Sequence, residues 1–234
     1  MPLEEGEKDL VVAGEYEGGY QVWECSLDLV RVLGASKGGG KGVLGRVWER
    51  FRRGEEGLRL FEIGCGCGIP AFSVARWWRE GGRGGEVGEG LDVVVQDLNA
   101  DVLDIAARGA ASAMLGDVDG DDGRVVRVVG VEGEWNAAMG EVEAVAPKFH
   151  LILTSETAYR TETIPALVTL IKSTLLPDGA ALVATKRLYF GVGGGARAFE
   201  SIATRKGLQV SRLAVFADGK SNVREILCVS HPKS

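Results

Sequence analysis

An acid, three alternating glycines and two cysteines stand together at Glu62, Gly64, Cys65, Gly66, Cys67 and Gly68, directly after the apolar run that starts at Leu58. Glycine at every second place lets the backbone take positive φ and meet a ligand with no Cβ in between, so the stretch suits a nucleotide-sized ligand lying on bare backbone. Glu62, two residues before the first glycine, can hold an amino group there. The spacing is Gly-x-Gly-x-Gly rather than the Gly-x-Gly-x-x-Gly of a dinucleotide fingerprint, and the plain alternative is a strand-to-helix turn opened by Pro70. Asp97 ends the next apolar run, Leu91 to Val95. An acid at that edge of a βαβ unit faces ribose, whose two hydroxyl donors need an acceptor. Trp135 offers an indole that either stacks on adenine or packs in the core. Ser155-Glu156-Thr157-Ala158-Tyr159 follow a further apolar run, and polar residues at a strand exit fit an active site; Glu156 is either a catalytic acid or a strand-end residue bonding its own backbone.

These groups need a scaffold that brings strand exits to one edge, and the hydrophobic pattern supplies it. After a loop with aromatic anchors through Trp23, helical spacing appears over 26–33, with Ser26 as a possible N-cap, and again over 43–53. Strands are expected from 58, over 91–97, 124–129, 149–154 and 180–185, with helices over 71–79, 103–114 and 164–176, the last stopped by Pro177-Asp178-Gly179. Lys186 to Gly195 is an aromatic and glycine-rich loop that reads as a substrate-side lid, and a helix through Phe199 and Ile202 follows it. The last two strands, 208–216 and 223–230, have no helical pattern between them and should pair antiparallel. The sum is an α/β fold, five βα units and a terminal antiparallel hairpin in a Rossmann-like seven-stranded sheet, with residues 1–57 as an N-terminal cap segment and 58–234 as the core of a single structural domain.

Composition narrows the function. At 234 residues and 45% hydrophobic, the chain can bury one continuous core. Its net charge of −6 argues against broad attraction to nucleic acid or anionic membrane and favours a protein or small-molecule substrate. No window approaches 18 apolar residues and Met1 to Glu7 is too acidic for a signal peptide, so a soluble intracellular protein is expected. Glycine is in excess, 35 residues, much of it in Gly34 to Gly45 and Gly81 to Gly90, which read as inserted flexible loops. Cys25, Cys65, Cys67 and Cys228 lack Cys-x-x-Cys spacing, and with only His150 and His231 to assist them they read as reduced thiols, not a metal site. His150 reads as structural and His231 as part of a frayed tail. Asp117 to Gly123 fails as a calcium loop, because its glycine is one place late and Val128 stands at the glutamate position. Lys41 among glycines fits no P-loop register.

The strand, acid and glycine loop resemble motif I of class I S-adenosylmethionine methyltransferases, and that resemblance implies the seven-stranded sheet in the order 3-2-1-4-5-7-6. More of the chain resembles one family, the protein-histidine N-methyltransferases that modify a ribosomal protein of the large subunit. The matching pieces are Glu17-Gly18-Gly19 with Val22-Trp23-Glu24-Cys25, the loop Gly64-Cys65-Gly66-x-Gly68, Gln96-Asp97-x-Asn99, Gly133-Glu134-Trp135, Leu153-Thr154-Ser155-Glu156-Thr157-x-Tyr159, and Tyr189-Phe190-Gly191-Val192-Gly193-Gly194-Gly195. Glu156-x-x-Tyr159 is also similar to the Asp/Glu-x-x-Tyr signature of seven-stranded enzymes that methylate lysines. The resemblance implies methyl transfer from S-adenosylmethionine, leaving S-adenosylhomocysteine, to the tele nitrogen of a histidine. It implies Glu156 and Tyr159 as catalytic residues and Trp23, Glu62, Gly64, Cys65, Gly66, Gly68, Asp97, Asn99, Trp135 and Thr154 as cofactor-binding ones. Tyr189, Phe190, Gly193 and Gly194 fall on the substrate side. The expected partner is a large-subunit ribosomal protein, with no nucleic acid, no membrane and no metal, and the enzyme is expected to be a monomer in the cytoplasm, the nucleus or both. The alternatives are a lysine methyltransferase of the related group and a cofactor-binding module without catalysis. The chain departs from the family pattern in its short N-terminal extension, in Glu62 where aspartate is commoner, and in its glycine-rich inserts.

Overall fold

The computed structural model describes residues 18–36, 42–53, 57–80, 90–115, 125–146, 148–217, 219 and 222–232. Glu17, Lys41, most of the two glycine-rich stretches and the acidic run 117–123 lie outside the described residues. Seven strands form one sheet: β1 (Leu58–Ile63), β2 (Gly90–Asp97), β3 (Val125–Glu132), β4 (Phe149–Ser155), β5 (Leu175–Lys186), β6 (Gln209–Phe216) and β7 (Arg224–Ser230). Their order is β3-β2-β1-β4-β5-β7-β6, as the methyltransferase resemblance implies, with the first five parallel and β7 antiparallel to both β5 and β6.

Strand parity divides the core. Leu58 and Leu60, Leu91, Val93 and Val95, Leu151 and Leu153, and Ala180, Leu182 and Ala184 face one layer, made of α1 (Glu24–Ser36), α2 (Gly42–Arg53), α3 (Ile69–Glu80) and α4 (Ala100–Leu115). Phe61, Ile63, Val94, Ile152 and Val183 face the other, made of α5 (Trp135–Val145), α6 (Ile164–Thr174) and α7 (Ala196–Arg205). Helices on both faces explain why the central strands read as continuous apolar runs rather than alternating ones. The same period of two decides where the polar strand-end residues go. Glu62 and Asp97 belong to the α3/α4 face, Gln96 to the α5 face, and Ser155 and Lys186 to the face that α1 covers.

Four local readings change. Ser26 is not an N-cap: α1 begins at Glu24, and Ser26 lies in its first turn with its N–H on Trp23 O at 3.0 Å. Its hydroxyl lies 2.9 Å from that of Ser155 instead. Helix α5 is absent from the sequence reading because only Ala138 and Val142 of it are fully buried, too sparse a stripe to show as a period. Pro177-Asp178-Gly179 does not stop a helix. Helix α6 has already ended at Thr174, and the tripeptide is a bulge inside β5, whose pairing with β4 jumps from Phe149–Leu175 to Leu151–Ala180. His231 is not frayed, since its Nε2 is 3.2 Å from Leu175 O. His150 is buried and structural, accepting the Arg59 N–H on Nδ1 at 3.1 Å. All four cysteines are unpaired. Among the described residues no helix is long and apolar enough to cross a membrane, and no cluster of potential metal ligands occurs.

Candidate active site

At the carboxyl edge of the parallel strands lies a cavity of about 410 Å³. Its floor is the turn after β1. The Cys65 N–H donates to Gln96 O at 2.8 Å, and the Gly66 N–H to Asp97 Oδ2 at 2.8 Å, so β2 holds the glycine loop by its backbone. Gly66 has φ +51, and a Cβ there would stand 3.1 Å from Gly19 O. The loop and the 18–23 segment therefore touch backbone to backbone, which only glycine permits. Asp97 is almost buried; its other oxygen accepts the Leu98 N–H at 2.8 Å, and burial pushes its carboxyl above the usual range. A carboxylate has about four acceptor directions, so a hydroxyl can still be taken on the cavity side.

Gln96, given no role from sequence, joins two walls. Its Oε1 accepts the Gly64 N–H at 3.1 Å, and its Nε2 donates to Gly133 O at 2.6 Å, directly before Glu134 and Trp135 at the start of α5. A buried glutamine closing an apolar strand was the signal for it. Trp135 is on the cavity wall, half-buried, and also packs on the α5–α7 core, so both readings of it hold together.

Several expected cofactor residues stand behind the wall rather than on it. Glu62 is fully buried under the loop, where its Oε2 accepts the Ala71 N–H in the first turn of α3 at 2.8 Å while Oε1 has no partner. Desolvation pushes its pKa up to about 8. It lies on the sheet face of α3, not of the cavity. Gly68 backs onto the Phe72 ring, and the Asn99 carbonyl accepts the N–H groups of Val102 and Leu103 at the start of α4. Thr154 bonds Ile63 O at 2.9 Å and lies 2.6 Å from the Thr157 hydroxyl; its neighbours Ser155 and Thr157 reach the cavity in its place.

The opposite wall is Trp23, Ser26, Ser155, Glu156, Thr157 and Tyr159. Glu156 is the one non-glycine residue with positive φ, +57, among the described residues, a strained backbone of the kind that gathers at functional sites. Its N–H donates to Ala184 O at 2.9 Å, which ties the strained turn to β5. The carboxylate is nearly buried: Oε2 accepts the Tyr189 O–H, while Oε1 has no hydrogen-bond partner and lies 3.8 Å from Lys186 Nζ. Burial first, then the Glu156 charge, push the Tyr189 phenol far above its ordinary pKa, so it stays a donor. The buried Cys25 thiol is raised too, by burial first, then by the Glu156 charge and by its hydrogen bond to that carboxylate.

The loop expected as a lid is mostly fastened down. The N–H groups of Gly194 and Gly195 donate to Tyr159 O at 3.2 Å and Ala158 O at 2.8 Å, and Gly193 bridges Arg160. A Cβ on Gly194 would lie 2.3 Å from the Tyr159 carbonyl, so the glycines serve close approach. Tyr159 and Tyr189 meet edge to face at 6.2 Å. Gly193 and Gly194 thus hold the Tyr159 turn and do not line the cavity; Phe190 is 84% exposed at the tip. Helix α1, which carries the Trp23 side of the wall, is pinned to the far end of the chain. Asp28, fully buried, accepts from Arg224 Nε of β7 at 2.6 Å.

The sequence model of a family described as lysine methyltransferase matches residues 9–189. The chain is 29% identical over 226 residues to a histidine protein methyltransferase 1 homolog of Dictyostelium discoideum, covering 96% of this chain and 62% of that protein. It is also 29% identical over 241 residues to the Mus musculus protein of the same name, covering 95% of this chain and 59% of that one. The chain therefore spans less than two thirds of the length of these curated relatives. A TehB-like SAM-dependent methyltransferase from Corynebacterium glutamicum aligns with a TM-score of 0.50 at 16% identity, over 88% of this chain and 98% of that one. The shared fold is the class I methyltransferase fold.

Proposed function

The chain belongs to the lysine methyltransferase family, and from that premise we propose that it moves a methyl group from S-adenosylmethionine to a histidine ring nitrogen of a protein, the tele nitrogen of a large-subunit ribosomal protein. One observation carries the choice of acceptor: a nearly buried carboxylate on the cavity wall, Glu156, with one oxygen fixed by Tyr189 and the other without a hydrogen-bond partner. An imidazole N–H is the donor that oxygen lacks. The relatives named histidine protein methyltransferase 1 support the same acceptor.

S-adenosylmethionine is the donor that family and fold imply, and the residues fit it. The Gly64–Cys67 backbone suits its methionine part, Asp97 the ribose and Trp135 the adenine, with Trp23 and the Gly18–Gly19 backbone as cover. Bound there, it would supply a methyl already activated on a sulfonium. The protein's own work is then positioning. A histidine with pKa near 6.5 is largely neutral at pH 7 and needs no base, so aligning and desolvating the ring carry the rate. Glu156 Oε1 accepts the N–H of one ring nitrogen, which aims the lone pair of the other into the cavity. The same carboxylate stabilises the cationic ring that results, until its proton passes to water. Tyr159 and Trp23 wall the pocket, and the exposed tip at Phe190 meets the substrate protein. A monomer of the cytoplasm or nucleus fits this reading.

Incubating the protein with labelled S-adenosylmethionine and purified large-subunit ribosomal proteins, then locating the modified residue by mass spectrometry, tests the proposal. Methylhistidine is expected; methyl-lysine, or cofactor binding without transfer, overturns it.

A further inference from the structure

Lys186 closes β5 on the sheet face that α1 covers, and it ends in a niche beside the cavity wall. Its Nζ lies 5.6 Å from the centre of the Trp23 ring, 5.5 Å from that of Tyr189 and 3.8 Å from Glu156 Oε1. Two aromatic faces and a carboxylate form the set that recognises an alkylammonium ion, the charge of lysine and of its methylated forms. The side chain is 24% exposed, so the niche opens outward, while Trp23 and Glu156 also line the cavity. The chain thus builds an ammonium site at the place where an acceptor must arrive, and fills it from within.

We propose that Lys186 is a specificity-determining residue, a resident cation that keeps lysine and methyl-lysine out of the acceptor niche. This rests on the histidine reading above. A second ammonium entering the niche would meet a like charge held there by the strand backbone, with the Lys186 N–H 3.3 Å from the Tyr189 oxygen. It would also find both ring faces already engaged. A neutral imidazole meets no such repulsion and needs only Glu156 Oε1, which Lys186 approaches without hydrogen-bonding. Selectivity of this kind works by exclusion: the wrong acceptor is disfavoured by a charge placed against it.

The test uses the protein saturated with S-adenosylhomocysteine, so that only the acceptor side stays open, and tetramethylammonium as probe, with binding read from saturation transfer to its methyl protons. Lys186→Met and Lys186→Gln should each bind the probe about tenfold more tightly than the wild type, the size of a released cation–π site. Lys186→Arg, which refills the niche, should behave as the wild type. In parallel, acid hydrolysis after labelled transfer to unmethylated large-subunit ribosomal proteins should give methylhistidine from the wild type and a new methyl-lysine fraction from Lys186→Met. Equal probe affinity in wild type and both neutral variants, or no methyl-lysine from variants that still bind S-adenosylhomocysteine, overturns the role of Lys186 and leaves the histidine reading standing. Methyl-lysine from the wild type overturns both.

Discussion

The two walls of the cavity are made of different materials. On the side of β1 and β2, the loop Gly64–Cys67 is held by main-chain donors: Gly64 on the Gln96 side chain, Cys65 on Gln96 O and Gly66 on Asp97. On the side of β4 and β5, four separated stretches bring side chains together, Trp23 and Cys25 from the start of α1, Glu156 after β4, Lys186 at the end of β5 and Tyr189 in the loop. The first wall is held by backbone, and the carboxylate oxygen without a partner on that side, Glu62 Oε1, lies buried behind it. The second keeps a strained φ at Glu156 and a carboxylate oxygen with no hydrogen-bond partner. A wall of backbone suits a ligand that is always the same, and a wall of side chains suits the partner that must be chosen.

Substitutions on the two sides should separate binding from turnover. The largest effect is expected from Gly66→Val. Its β-branched side chain would be driven into positive φ and against the Gly19 carbonyl, parting the loop from the 18–23 segment. Calorimetry should find no S-adenosylmethionine binding in a variant whose circular dichroism stays helical and stranded; retained binding would remove the loop from the cofactor site. Next is Glu156→Gln, where turnover should fall by roughly 100-fold or more, the scale of losing one preorganised electrostatic contact, with cofactor affinity unchanged. Single-turnover rates across pH 5.5–9.5 add a check. A histidine acceptor should give a rate that levels off above about pH 7, and a lysine acceptor one that still climbs toward its pKa near 10.4.

Asp97→Ala should weaken cofactor binding by about 1–3 kcal/mol, because it strips an acceptor from buried donors, the Gly66 and Leu98 amides included. The fourth prediction concerns stability. With a folded pKa near 8 against 4.5 unexposed to burial, Glu62 binds its proton more tightly folded than unfolded. Its contribution is present below pH 4.5 and is lost as pH rises through 8. Denaturant midpoints should therefore fall between pH 5 and 8, and Glu62→Gln should flatten the slope. The flattening should be partial, since the Asp97 carboxyl is raised too. The smallest change is expected from Phe190→Ala: stability within about 0.5 kcal/mol, unchanged cofactor affinity, and a higher KM for the protein substrate alone.

The strands and the backbone wall were legible in the sequence because both depend on short-range signals, whereas the order of the strands came from the resemblance to class I methyltransferases. Apolar runs between turn residues mark strands, and glycines at every second place mark a loop. What was not legible depends on which face a residue meets. Glu62 reads as a ligand for an amino group until β1 is built, whereupon the period of two turns it toward α3 and the Ala71 N–H. Lys186 reads as the start of a loop, and only the packing of α1 on β5 sets its ammonium over Trp23. The loop Lys186 to Gly195 reads as a substrate-side lid, yet Gly194 and Gly195 fasten it by their N–H groups to the Tyr159 and Ala158 carbonyls, and a Cβ on Gly194 would strike that turn. Pro177-Asp178-Gly179 carries the same turn chemistry at a helix end and at a strand bulge, so composition could not separate the two.

The bond between Asp28 and Arg224 joins positions 196 residues apart, and it sets an order of events during synthesis. Chains emerge amino end first and fold as segments become available. Strands β1 to β5 and their helices can assemble while β7 is still unmade, and the backbone wall with them. Helix α1 has only its own Arg31 for one oxygen of its buried aspartate, at 2.7 Å, and nothing for the other until residue 224 has been made. The wall we propose to choose the acceptor is thus the last part of the site to be finished, after the backbone wall that the cofactor would lie on.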